Sequence, residues 1–568
     1  MNGRAFAGVG IGVMLATAGA LLQTPARPGL RNGAAALLPA GATLVLQARD
    51  FGSIVGDWNT SAEKEKWLRS ANYQVFSRSR LFLRFADAYD EFATAAGVPP
   101  NLALLSDVAG GESAVAVYDI GKLEFLYVTR LGTAKTMENA LWRTRGSYEP
   151  REAAGTPFYV RVDPKSKRVV AFGVRDQYLL LATREDLLAG ALTLVAGQGA
   201  ASVQADGWFA RSVNAAGDPG DVRLVTNLEA LVKEPHFRSY WVQENVAELK
   251  QYASVVSDLV RTPTDIREER VLLRAQDTPE AADTAAAELG DVMRLVPDAA
   301  GLYRAWAAPS AEYATNLVLE KVIATSGPTT VRNRVAPRIG LAQSSTGGAG
   351  DLETRIDEET PAPRPSTYQV AALARLIGAG ALTAMLHVEA TRFGIDRVFI
   401  DRGSVIVLER SADWPQEGVL EAVRTVVDPV WTKGHLGMRW VDARIGVQTF
   451  SELEGLEHVA AARRGRFLFL GNDRVLLASV LDATSKAPVA LQGAYAAGFR
   501  HTLERGRFVS MMRLVDHAAA GADGHEPPFF SENLASLSEA LSRVDSTSIV
   551  VRDRGATVSQ TVIYRLAP

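Results

Sequence analysis

The chain contains no cysteine. That removes disulfides, thiolate nucleophiles, zinc–thiolate sites and iron–sulfur clusters together. It also removes the cysteine that would carry the lipid of a bacterial lipoprotein. Histidine is scarce, with 7 in 568 residues, and none stands in the His-Glu-x-x-His spacing of zinc hydrolases. No Gly-x-Ser-x-Gly elbow is present, and neither is a Gly-x-x-x-x-Gly-Lys-Ser/Thr phosphate cradle or an early glycine-rich dinucleotide fingerprint. An excess of one charge is missing too. Lys and Arg number 61 against 64 Asp and Glu, a net charge of −3, which supplies no field to draw the chain onto nucleic acid.

What the chain does have is a globular composition, 47% apolar and 22% charged. These shares are ordinary for packed domains, and the length exceeds what one hydrophobic core usually serves. Behind Arg4 runs an uncharged apolar stretch from Ala5 to Leu22, with no further charge before Arg27. A short cationic start followed by an apolar run is the pattern of an export signal. As a helix the run would reach about 27 Å, close to the hydrocarbon thickness of a bilayer. Residues 1–30 are therefore expected to form a signal peptide or an N-terminal membrane anchor. The small residues Ala18-Gly19-Ala20 and Thr24-Pro25-Ala26 suit cleavage. The length of the run and the lone Arg4 equally suit an uncleaved anchor with the bulk of the chain outside. Glycines 8, 10 and 12 would weaken a buried helix here.

The rest of the chain repeats itself. Arg168 to Ala182 reads as strand, tight turn, strand, and Gly465 to Ala478 reads the same way. Each is followed by a helical stretch rich in small residues, Glu185 to Ala196 and Val480 to Ala490. Next come Trp208-Phe209-Ala210 before a strand at Val222 to Val225, and Phe499-Arg500-His501 before one at Phe508 to Met512. Each half closes with helix then strand, Val246 to Val260 before Arg267 to Ala275, and Phe530 to Leu541 before Ser548 to Leu566. The openings also correspond, Leu37 to Leu46 with Leu295 to Arg304. The expected fold is α+β, with two tandem related domains at 37–277 and 295–568. Each is expected to be an antiparallel sheet with helices packed on one face.

Between the openings and the later strands of the second half lies Ser326 to Pro365. It holds Ser344-Ser345-Thr346-Gly347-Gly348-Ala349-Gly350 and Pro361-Ala362-Pro363-Arg364-Pro365, and a disordered insertion is expected at about 326–366. Tyr368 to Leu386 is apolar enough to suggest a membrane span. Arg375 inside it favours an amphipathic or packed helix instead.

Candidate chemistry is sparse. Ser61-Ala62-Glu63-Lys64 matches the Ser-x-x-Lys of penicillin-recognising enzymes. The companion motifs are scrambled and out of order, Thr432-Lys433-Gly434 preceding Ser531-Glu532-Asn533. Thr60 to Glu63 reads better as a capping box opening a helix. Asp516, His517, Asp523, His525 and Glu526 are ligand types that a divalent ion accepts. The alanine-rich spacer and Pro527-Pro528 point instead to a loop with no rigid ligand shell. No metal, cofactor or catalytic residue is assigned, and Asp516, His517, His525 and Glu526 stand as weak metal candidates only. Glu268-Glu269, Glu358-Glu359 and Asp87-Asp90-Glu91 could supply paired carboxylates, although the last set has the spacing of a solvated helix face. Trp58, Trp67, Trp208, Trp241, Trp431 and Trp440 could line a sugar or lipid groove, with core packing the plainer use. Arg463, Arg464 and Arg466 form the densest basic cluster, without an aromatic stacking pair, and read as a solvated turn.

The segment Leu-Leu-Pro-Ala-Gly-Ala-Thr-Leu-Val-Leu-Gln-Ala-Arg-Asp at 37–50, followed by a tryptophan-bearing helical stretch at 58–92, resembles DUF3352-type exported bacterial proteins of unknown function. The resemblance implies an envelope location and this architecture, with no activity attached. The expected role is that of a non-catalytic cell-envelope protein, anchored in the inner membrane or free in the periplasm. Its partner would be an envelope protein, a cell-wall component or a lipid, and no nucleic acid. Two alternatives are an exported hydrolase assembled from distant residues such as Asp516, His517 and His525, and a carrier of apolar ligands.

Overall fold

In a computed structural model of the protein, the described residues are 33–567, except for 70–72, 74–76, 78–79, 132–138, 200, 236, 238–248, 277–282, 324–366, 394–399, 416, 432–437, 455–457 and 507–542. The leader, the insertion at 326–366 and the cluster Asp516, His517, Asp523, His525 and Glu526 lie outside them. The chain divides into two compact units. The first draws on Met1–Asp283, Ser536–Val544 and Asp553–Pro568, and the second on Thr284–Ala535 and Asp545–Arg552.

Alternating and continuous apolar runs make the strands of the first unit. They are β1 (Leu44–Ala48), β2 (Ser113–Asp119), β3 (Glu124–Arg130), β4 (Glu149–Ala153), β5 (Thr156–Val162), β6 (Val169–Arg175), β7 (Tyr178–Ala182), β8 (Val222–Asn227), β9 (Tyr252–Arg261) and β10 (Asp265–Arg274). Every pairing is antiparallel, in the order β4-β5-β6-β7-β3-β2-β1-β8-β9-β10. The last strand of the chain, which runs from Thr557 to Leu566, pairs with β10. The second unit contains β11 (Leu302–Ala307), β12 (Leu382–Phe393), β13 (Ile400–Arg410), β14 (Arg439–Ile445), β15 (Gln448–Glu454), β16 (Val459–Arg464), β17 (Phe467–Gly471), β18 (Tyr495–Arg500) and β19 (Val544–Asp553), of which the end residues Val544 and Asp553 count with the first unit. Their order is β14-β15-β16-β17-β13-β12-β11-β18-β19, again antiparallel throughout. The fold is α+β.

The expectation of helices on one face only is wrong. Central strands such as β7 and β17 read Tyr-Leu-Leu-Leu-Ala and Phe-Leu-Phe-Leu-Gly because both of their faces are covered. In the first unit, one face carries Val45, Ala116, Val128 and Leu180. It packs on Leu188 and Leu192 of α5 (Glu185–Val195) and on Phe209 of α6 (Gly207–Ala216). The other face carries Tyr127, Phe172 and Leu181. It meets Phe92 and Ala95 of α3 (Arg80–Ala96) and Leu104 of α4 (Leu102–Val108). Two further helices, α1 (Phe51–Thr60) and α2 (Ala62–Arg69), precede these.

The second unit is layered in the same way. Met385, Ile406 and Leu470 pack on α7 (Ala311–Val318), α8 (Thr367–Gly378) and α9 (Val419–Trp431). Leu386, Val407 and Phe469 on the opposite face pack on Leu477 and Leu481 of α10 (Arg474–Asp482). Among the described residues no helix is long and apolar enough to cross a membrane. The apolar stretch 368–386 is split between α8 and the start of β12.

Three local readings are corrected. The second hairpin is formed by β16 and β17, with Gly465 at φ 55° in its turn, as Asp176 at φ 54° serves the turn between β6 and β7. Val475 to Ala478 are helical because Asp473 accepts hydrogen bonds from the amides of Val475 and Leu476, both at 2.9 Å, which caps α10. The residues within Val246 to Val260 that are described from Tyr252 onward are strand, not helix. Asp258 interrupts their apolar pattern, and it is buried because Arg223 lies directly across the ladder.

Candidate functional site

The site with the most unusual chemistry was not singled out from the sequence: it is His387, in the middle of β12. Alternation along the strand places His387 and Glu389 on one face. The register sets Arg304 of β11 beside His387, and Ser404 of β13 beside Glu389. The imidazole is 1% exposed. Its Nε2 lies 3.3 Å from Ser404 Oγ and 3.4 Å from Glu389 Oε1, and Arg304 Nη1 lies 3.6 Å from the same carboxylate oxygen. The Asn472 side chain ties the surroundings together. Its Oδ1 accepts from the Ser404 amide at 2.7 Å, and its Nδ2 donates to the Lys321 carbonyl at 3.3 Å. Lys321 belongs to a single π-helical turn, Leu319–Ile323, which continues α7. Such turns are uncommon and interrupt the regular helix ladder.

Burial pulls the His387 pKa down to about 4. Glu389 opposes the shift, while Arg304 and Lys321 add to it. The ring is therefore neutral, and the adjacent carboxylate favours the proton on Nε2. Nδ1 is buried without a hydrogen-bond partner.

Ser404, His387 and Glu389 are the residue types of a hydrolase triad, but the geometry does not make one. In that mechanism the acid holds Nδ1–H while the nucleophile faces Nε2. Here serine and acid both face Nε2, and Ser404 is 3% exposed. Ser404 is not an activated nucleophile.

Other candidates resolve into structural roles. Ser61, rather than Thr60, caps α2, its Oγ accepting from the Lys64 amide at 3.1 Å. Glu268 and Glu269 point to opposite faces of β10 and form no acid pair. Glu268 is buried with Arg270, and Glu269 pairs with Arg267. Asp87 and Asp90 are exposed on α3, while Glu91 pairs with Arg168 at 2.6 Å. Glu358 and Glu359 are outside the described residues.

The tryptophans do not converge. Trp58 packs against a small core with Leu259 and Ile266, Trp208 against the core beneath α6, and Trp440 against the core beneath α9. Trp67 stacks edge-on with Tyr73, ring centroids 6.1 Å apart. The remaining two, Trp241 and the Trp431 side chain, are not described.

A cleft of about 490 Å³ in the second unit is lined by Val419, Asp442, Thr449, Ser451, Arg463 and Arg464, among others. Both arginines are committed to backbone, Arg463 to the Trp414 carbonyl and Arg464 to the Thr449 carbonyl, each at 2.8 Å. Arg466 pairs with Asp291 and Glu409. Among the described residues no group of three or more His, Asp or Glu is placed to hold a metal ion.

Three buried arginines of the first unit are paired with acids of the same unit. Arg223 makes a bidentate pair with Asp258, both contacts at 2.7 Å. Arg270 meets Glu268 at 2.7 Å through Nη2, and Arg274 meets Asp553 at 2.6 Å.

No family model matches the chain, and no curated protein matches it. Among solved structures, crystal forms I, III and IV of a protein titled TP0453 align at 9–11% identity. They cover 42–44% of this chain and 80–82% of their own, with TM-scores of 0.23–0.25. A likeness of that strength defines neither fold nor function.

Proposed function

We infer that the protein is a non-catalytic component of the bacterial cell envelope, exported or anchored by residues 1–30, and of the DUF3352 type. It acts by presenting surfaces to an envelope partner, cell-wall material or lipid. One observation carries this reading: in the first unit the buried arginines at 223, 270 and 274 are each consumed by a buried carboxylate. Arg223 with Asp258, Arg270 with Glu268 and Arg274 with Asp553 are locked pairs. His387, the most perturbed base, is sealed from solvent. Enzymes hold their perturbed groups open to a substrate cleft.

The two units derive from a duplication. Strands β4 to β9 and β14 to β19 follow one connection order, each label in the second series being the first plus ten. A duplicated pair of sheets doubles the surface on offer without requiring a reaction centre.

The test is cell fractionation with mass spectrometry of the N-terminus. Membrane pellet with Met1 retained, or periplasmic fluid with a start near Leu21 or Arg27, supports the reading. Recovery in the cytosol with Met1 intact overturns it. A turnover activity abolished by His517→Ala or His525→Ala would instead favour an exported hydrolase.

A further inference from the structure

Open sheets end in strands whose outer backbone groups have no partner, and folded proteins usually blunt such edges. In the first unit the outer strand is β4, paired with β5 across the turn Ala154-Gly155, with φ 48° and 70°. In the second unit the strand at the same place in the order is β14, paired with β15 across Gly446-Val447, with φ 60° at Gly446. Among the described residues no strand lies on the other side of either.

The residue pair that flanks a two-residue turn exchanges both of its backbone hydrogen bonds, and the pattern alternates from there. Ile445, Ala443 and Val441 therefore direct their amides and carbonyls to β15. Trp440, Asp442 and Arg444 direct theirs outward. Arg464 confirms the phase, since it donates at 2.8 Å to the carbonyl of Thr449, the residue opposite Arg444.

By the same count the outward positions of β4 are Pro150 and Glu152. Proline has no N–H to offer, and Glu149 to Glu152 are all exposed, so that edge is closed to a further strand. The corresponding positions of β14 are Asp442 and Arg444, both with an intact N–H and both exposed. Arg444 commits its Nε to the Gly446 carbonyl, at 2.9 Å. On the other face of the strand Val441, Ala443 and Ile445 are half-buried, and the last two lean on the core beneath α10.

The charges select what pairs there. Antiparallel copies of β14 align their outward groups only when a two-fold axis passes through a residue. An axis at Asp442 sets two carboxylates face to face, and one at Arg444 sets two guanidinium groups face to face. Like charges directly opposite destabilise a ladder. An axis at Val441 leaves Asp442 opposite Trp440. An axis at Ala443 sets Asp442 opposite Arg444 twice. It also sets Val441 opposite Ile445 on either side of the alanine pair, in the closely spaced positions where side chains meet best. The arrangement is self-complementary, as a symmetric dimer requires.

We propose that β14 is a self-association edge: two copies of the chain join their second-unit sheets antiparallel through it, about a two-fold axis at Ala443. The proposal stands whether the chain is anchored or free, and so does not depend on the envelope reading.

The absence of cysteine makes the register readable. In the purified full chain, held in a mild non-ionic detergent, Ala443→Cys places two thiols on the axis. Their Cα atoms would lie about 4.5 Å apart, within the span of a disulfide. Mild oxidation should convert most of this variant to a covalent dimer. Val441→Cys or Ile445→Cys alone should not cross-link, because each would lie roughly 14 Å from its own copy, whereas a mixture of the two should. Sedimentation of the cysteine-free chain should show a concentration-dependent dimer. Asp442→Arg or Arg444→Asp alone should weaken that dimer at least about tenfold, and an equimolar mixture of the two variants should restore it.

Failure of Ala443→Cys to cross-link, or equal cross-linking of all three single variants, overturns the proposal. So does a dimer that survives each charge reversal, or a mixture of the two reversals that stays monomeric.

Discussion

Acidification should loosen the second unit through one residue. In the unfolded chain the His387 imidazole takes up its proton near pH 6.5, whereas in the folded protein burial delays protonation to about pH 4. The unfolded state therefore binds more protons between these values, and stability falls as pH drops through that window. Above pH 6.5 the residue contributes no pH dependence. The difference of about 2.5 pH units corresponds to about 2 kcal/mol lost by pH 5 and about 3 kcal/mol by pH 4, levelling off about one unit lower. The groups facing the ring are Glu389, Arg304, Lys321 and Glu320, and Glu389 is the one that favours the imidazolium most.

Two units in one chain make a single unfolding free energy ill-defined, so the assay should be local. Hydrogen exchange of the β12 and β13 amides between pH 7 and pH 4.5, corrected for intrinsic exchange, should show protection falling by more than tenfold. His387→Gln removes the titration, and its protection should lack that component of the pH slope while carboxylate contributions common to both proteins cancel. A variant with the full wild-type slope, or a ring that titrates near 6.5 by carbon NMR, would refute the reasoning.

Three further outcomes follow from buried contacts. Asp258→Ala strands the 3%-exposed Arg223 and should cost about 3–5 kcal/mol in denaturant unfolding of the first unit. Combining it with Arg223→Met should recover much of that loss, and a double variant as unstable as the single would contradict the pairing. Asp473→Ala removes the acceptor for two amides of α10 and should cost about 1–2 kcal/mol, seen as faster exchange at the start of that helix. Leu470→Ala, at a fully buried position in the second unit, should cost about 2–5 kcal/mol. A loss below about 1 kcal/mol would mean that the core collapses around the vacancy.

The openings at Leu44 and Leu302, the β6–β7 hairpin and the α+β class were legible because period-two alternation, continuous apolar runs and turn residues act over a few neighbours. The errors came where one local pattern fits two outcomes. Val475 to Ala478 has the composition of a strand, and Asp473 turned it into a capped helix. Tyr252 to Arg261 carries polar residues at intervals that mimic a helix, and only Arg223 across the ladder explains a buried Asp258. Helices on one face were expected from amphipathic patterns, yet the uniformly apolar β7 and β17 carried the signal of a doubly covered sheet.

By itself the sequence determined the absence of thiol chemistry, the near-neutral charge, the apolar run at residues 5–22 and several strands, since each depends on residue type or on spacing along a few residues. Which charges meet was decided only by the tertiary structure. Arg304 and Glu389 lie 85 positions apart, and Ser404 reaches His387 because β11, β12 and β13 align in one register. The burial that keeps His387 neutral arises from the packing around the middle of β12. No run of neighbouring residues encodes it, because burial is a property of the whole packing and not of any segment.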